Sequence, residues 1–371
     1  MKKRMQILGF LLTLGLVLAA CGQKDTEQTV NQEQQGTEDT FNTEDEQVEG
    51  EAEVPEEEAE PEGMFRSEIT NEWIEERLYG QRPVAIMVDN EKTALDHYGL
   101  TQADVVYELM NSTANGRITR FMCIVKDWQS ITQFGSIRSV RPTNFMLAPE
   151  WNAILCHDGG PMYINAYLQN PYIENLSGGF ARIKNGKPRE FTEYITTGEL
   201  EKRIASKGYS TQYNDYYQGN HYKFANENDP VDLVDAAGVI DCTFVDLPFA
   251  HNGSELSYDA ASGLYLYSEY GKPHVDPANG NKQLSFKNLL IQDVYFEQYD
   301  AKGYMGFRAS DSGRDGWYIT NGKAIPVTWE KNGDLDITRY YDMEGNEITL
   351  NTGKTYVAFV PYDNWDELVL K

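Results

Sequence analysis

Pro83-Val84-Ala85-Ile86-Met87-Val88, running into Asp89-Asn90, is the stretch whose reading decides the fold. A short apolar run closed by two polar turn formers reads as a buried strand followed by a loop. Asp104 to Glu108, Ile118 to Val125, Ile131 to Ile137 and Trp151 to Cys156 are further strand candidates. Helical pieces fall before and between them. Thr70-Asn71 offers an N-cap to Glu72 through Leu78, which Gly80 closes, while Pro142 to Glu150 and Met162 to Leu168 each have a proline at or before the first turn. Strands alternating with helical pieces predict an α/β-like domain over residues 64–228.

The pattern changes after Asn228. Short β-prone runs recur at 263–267, 289–296, 316–320, 325–329, 336–341 and 356–360, and Asn321-Gly322 and Asn332-Gly333 stand among the turn signals between them. Asn-Gly between alternating runs is a strong hairpin cue. Residues 229–371 therefore read as a mainly antiparallel β domain, and the fold class as α+β overall.

Residues 1–21 read as a lipoprotein signal peptide. Lys2, Lys3 and Arg4 precede an apolar run from Ile7 to Leu18, and Leu18-Ala19-Ala20-Cys21-Gly22 resembles the bacterial lipobox. In that motif the Cys21 thiol takes a diacylglycerol and the leader is cut just before it, so the expected partner is the membrane and the expected place is the outer face of the cytoplasmic membrane. Two acyl chains hold stably because each buried methylene contributes roughly 0.8 kcal/mol.

The net charge of −26 is unevenly spread. Residues 22–63 hold sixteen acidic side chains against the single Lys24 and almost nothing apolar, so they read as a disordered acidic tether. An acidic mature chain argues against nucleic acid as a partner. Besides Cys21 only Cys123, Cys156 and Cys242 occur, an odd number with no close pair. That is neither a disulfide framework nor zinc spacing, so no metal and no cofactor are expected.

The stretches Ala85 to Asn90, Ala103 to Glu108, Ile118 to Arg120 and Gly135-Ser136-Ile137-Arg138-Ser139-Val140-Arg141 resemble the YerB-like lipoproteins of Bacillus and related Firmicutes. So do Gly271 to Asp276 and Gly322 to Lys331 in the second half. The resemblance implies an exported two-domain lipoprotein without an established reaction. Against the family pattern, Asn115 and Arg117 stand where an acidic residue and a glycine are usual. Arg189-Glu190-Phe191-Thr192 lacks a Pro-His-Asn triplet after the arginine.

The candidate constellation is Arg120, Arg138 and Arg141 with the loop Cys156-His157-Asp158-Gly159-Gly160. Guanidinium forks match carboxylate or phosphate, and glycines let backbone approach a ligand. Pairing with Asp89, Asp104 and Glu108 as structural bridges is the competing reading. His157 and the His274-Val275-Asp276 triplet are the catalytic candidates, since alternate strand residues share a face and Asp276 could orient the imidazole. His97, His221 and His251 read as loop residues. A tyrosine-rich loop at Tyr209, Tyr213, Tyr216, Tyr217 and Tyr222 could stack on sugars or pack on itself. These features predict an envelope lipoprotein that binds an anionic envelope ligand, such as cell-wall glycan, or a protein partner. A hydrolase or lyase on peptidoglycan, with His157 as acid or base, is the alternative, and a structural assembly factor the third; whether the chain is an enzyme stays open.

Overall fold

A computed structural model describes residues 60–371 of the chain. Cys21 and the tether up to residue 59 lie outside the described residues.

One mixed sheet of eleven strands organises the described part. In chain order its strands are β1 (Val84–Asp89), β2 (Val105–Met110), β3 (Thr119–Val125), β4 (Ile154–His157), β5 (Asn175–Ser177), β6 (Ile240–Asp241), β7 (Asn288–Val294), β8 (Arg314–Thr320), β9 (Lys323–Glu330), β10 (Arg339–Tyr341) and β11 (Thr355–Pro361). Across the sheet the order is β6-β9-β8-β7-β11-β2-β3-β1-β4-β5, with β10 paired to β9. Strands from both sequence halves thus share one hydrogen-bonded surface. The joint is β11, which runs parallel to β7 on one side and to β2 on the other. A smaller six-stranded sheet is built from residues between 244 and 286 with Val369–Leu370.

The apolar runs are continuous because the sheet is buried on both faces. Val84, Ile86 and Val88 of β1 enter one core with Phe121, Cys123, Tyr356 and Ala358. The alternate residues Ala85 and Met87 enter the other with Met122, Ile124, Val357 and Phe359. Cys123 and Cys156 are free, fully buried thiols, and burial pushes both upward, Cys156 to about 12.

The molecule is mostly sheet with few helices. The described residues hold only two α-helices, α1 (Asn144–Leu147) and α2 (Glu199–Lys207). The helix expected over 72–78 is instead a strand, Trp73–Glu75, and a single 3-10 turn, Glu76–Leu78. Its propensity is overridden by pairing: Phe65 lies opposite Ile74, and the Arg66 guanidinium sits 3.9 Å over the Trp73 ring. Residues 162–168 likewise form two 3-10 turns rather than a helix.

Candidate functional site

A cleft of about 630 Å³ opens at the carboxyl ends of β1 and β2 and the start of antiparallel β3. Its size is in the ordinary range for small-ligand sites. Asp89, the last residue of β1, faces Arg120 across the β1–β3 register. Both project to the same side of the sheet, and Asn111 and Ser112 continue β2 into the wall. Arg138, Ser139 and Arg141 come from the segment before α1, Pro188, Glu190 and Phe191 from a 3-10 turn, and Lys302 and Tyr304 from the C-terminal half.

The three arginines expected from the sequence converge here. Arg138 donates Nε–H to Asp89 at 2.5 Å and Nη2–H to Glu190 at 2.5 Å. Burial opposes its charge, but these two carboxylates outweigh the effect and hold the guanidinium above its ordinary value. Arg120 donates to the Ser139 carbonyl at 2.6 Å, lies 3.6 Å from Asp89, and has a buried Nε without a partner. Arg141 donates Nε–H to the Asn111 carbonyl and Nη1–H to the Val140 carbonyl, and its guanidinium lies 5.1 Å from the Tyr304 ring centre. Burial, reinforced by mutual repulsion among the arginines, lowers Arg120 to about 9; burial lowers Arg141 to about 10. Both stay charged at neutral pH.

Of the three carboxylates in the lining, only Asp89 is buried. Of the acids expected to bridge the arginines, Asp89 does so with Arg138 and Arg120, and Asp104 and Glu108 do not. Asp104 accepts the Lys126 backbone N–H, and Glu108 lies on the opposite face of the sheet. There Glu108 accepts from Thr119, Ser254, Tyr267 and Tyr356 hydroxyls at 2.5–2.9 Å.

His157 does not border the cleft. Its ring is buried against Phe145, its Nδ1 sits 2.8 Å from the Gly159 carbonyl, and burial lowers its pKa. Gly160 serves packing: a Cβ there would lie 2.6 Å from Ile164 Cδ1. The expected pairing of His274 with Asp276 is also absent, because Glu269 takes the imidazole at 2.8 Å. Asp276 instead accepts from the backbone N–H of Gly99, Thr101 and Ala278 and from the Thr101 hydroxyl. Reading His97 and His221 as loop residues missed their burial. His221 stacks on Trp151 at 3.7 Å, and its Nε2 lies 3.4 Å from the buried Glu150. The tyrosine-rich loop packs on itself, with Tyr213 stacked on Tyr217 at 3.9 Å.

Tyr304, Lys302 and Phe191 belong to the cleft without a signal in the sequence. Asn115 and Glu190-Phe191, at the two departures from the family pattern, both line it.

Comparison with known proteins identifies the family. Residues 69–210 match the N-terminal domain, and residues 245–357 the C-terminal domain, of the family described as "Protein of unknown function (DUF3048)". YerB of Bacillus subtilis (strain 168), which is named as a lipoprotein, is 26% identical over 306 residues, covering 80% of this chain and 86% of that one. A crystal structure of the YerB protein from Bacillus subtilis aligns with a TM-score of 0.69 at 22% identity, covering 83% of this chain and 99% of the other. No helix among the described residues is long and apolar enough to cross a membrane. Two matched domains in order, a relative aligned over most of both chains and a shared fold place this chain in the YerB-like family of two-domain DUF3048 proteins.

Proposed function

We propose that this chain is a lipid-anchored binding protein of the cell envelope, held through Cys21 at the outer face of the cytoplasmic membrane, whose arginine cleft takes an anionic group. The observation that carries the reading is Arg141. It is a buried guanidinium facing a cleft, with no carboxylate at ion-pair distance among the described residues. Burying a cation without an opposite charge is expensive, so a site that keeps one is arranged for an anion supplied from outside. Arg120 and Arg138 add fork donors, and Lys302 adds charge at the rim. The occupant is a carboxylate- or phosphate-bearing piece of an envelope polymer. The lipobox-like leader, the acidic composition and the lipoprotein name of the relative support the location.

Titration calorimetry of the purified chain with muramyl dipeptide and with glycerol phosphate oligomers tests this. Binding that weakens with added salt and falls at least tenfold in Arg141→Gln is expected. Absence of heat with both probes, or equal affinity in the variant, overturns it.

A further inference from the structure

On the opposite face of the sheet from the cleft, three buried donors converge. His97, from the loop between β1 and β2, meets Glu269 of the smaller sheet and His274 just after that sheet's short strand Lys272–Pro273, and one ligand atom from each lies within 4.8 Å of the others. The imidazole centres are 5.0 Å apart, with Phe121 edge-on to both. The residues are 0%, 2% and 3% exposed. Four polar atoms here have no hydrogen-bond partner: both nitrogens of His97, Nε2 of His274 and Oε2 of Glu269. Leaving so many buried polar atoms unsatisfied is costly, so the arrangement calls for an occupant.

The protons say which kind. His274 Nδ1 and Glu269 Oε1 lie 2.8 Å apart, and with the ring proton on Nε2 both turn lone pairs to the same space. A neutral imidazole keeps one bare nitrogen, and His97 has no hydrogen-bond partner at either, so it offers a lone pair too. One water has two hydrogens for three converging acceptors, whereas one divalent cation accepts all three.

We propose that His97, His274 and Glu269 bind a divalent transition-metal ion of the zinc class. Zinc bonds near 2.0–2.1 Å set tetrahedral ligands about 3.4 Å apart, a short closure from the observed separations. His97 lies in the segment matching the N-terminal domain, Glu269 and His274 in the segment matching the C-terminal one. The ion would staple the two, beside the Asp276 hydrogen bonds to Gly99 and Thr101. Sequence spacing gave no hint of it because 172 positions separate His97 from Glu269.

The mature chain, free of any affinity tag, is unfolded in denaturant with a chelator and refolded with or without zinc, then freed of loose metal and analysed by elemental mass spectrometry. One zinc per chain and a melting temperature several degrees above the metal-free protein are expected. His97→Gln and His274→Gln should each lose the ion, while His157→Gln keeps it. Should the first two fail to fold, refolding the unaltered chain with cobalt(II) gives the same decision, since a tetrahedral site shows strong visible absorption. No stoichiometric zinc after refolding, zinc retained by both folded variants, or an octahedral cobalt spectrum overturns the proposal.

Discussion

Asp89 accepts the Nε–H of Arg138 at 2.5 Å and so neutralises one guanidinium of a cleft that holds three. That relationship separates what the arginines do for stability from what they do for binding. Arg138→Ala removes a partner of a buried carboxylate, but Asp89 keeps Arg120 at 3.6 Å and the Glu91 backbone N–H at 2.8 Å. The expected loss is about 1–3 kcal/mol, below the full penalty of a stranded charge. Arg141→Gln breaks bonds to two carbonyls and the contact with the Tyr304 ring, strands no carboxylate, and should cost about 1 kcal/mol while losing more affinity. Urea unfolding of both variants beside calorimetry checks the order; a larger stability loss in Arg141→Gln would reverse it.

Glu108 supplies a pH dependence of unusual sign. Burial pushes its carboxyl up to about 7, even though Thr119, Tyr356 and Ser254 donate to it, and Glu269 adds to the rise. A folded pKa above the unfolded value of roughly 4.3 means the native state holds the proton more tightly between the two. Stability from this group is therefore present at the acid end of that window and declines as pH rises from about 4.5 to 7. Glu108→Gln should flatten that decline, measured as urea midpoints across the window. An unchanged slope would assign the titration elsewhere.

Glu150 behaves in the opposite sense. Burial alone would raise it, but Lys331 at 3.3 Å, His221 and the Thr338 donors bring it down to about 2. Its contribution is fully present above the unfolded carboxyl value and lost as pH falls toward 2. Glu150→Gln leaves the buried Lys331 without its carboxylate and should cost about 3–5 kcal/mol at neutral pH. Acid unfolding that is equally steep in wild type and variant would count against this assignment.

Cys21→Ala tests the anchor. The variant should lose metabolic lipid labelling and leave the membrane fraction, and continued partition of the variant with lipid would refute the lipobox reading.

The strands of the central sheet were legible because burial on both faces writes unbroken apolar runs. Val84–Asp89, Thr119–Val125 and Thr355–Pro361 lie where the composition places them. Their neighbours were not legible: nothing local tells β11 to insert beside β2, because that choice is made by two faces of packing at once. The helix expected at Glu72 failed for a related reason, since its pattern could not show the partner strand Met64–Arg66. Within the cleft, the Gly135-to-Arg141 stretch pointed to the arginines through their placement after strands. Tyr304 and Lys302 were invisible because they arrive from some 160 residues downstream, and the histidine pair failed because imidazole burial leaves no pattern in the chain.

The parallel seating of β11 between β7 and β2 has a consequence for biogenesis. A chain delivered amino-terminus first completes β2 at residue 110, yet the strand that covers its open side begins only at residue 355. Until then an apolar strand edge waits unpaired, the kind of template on which chains cross-associate, and closing so long a loop is slow. A premature stop between Val294 and Thr355 would leave two such edges, those of β2 and β7, permanently open. The shortened product would be a nucleus for aggregation.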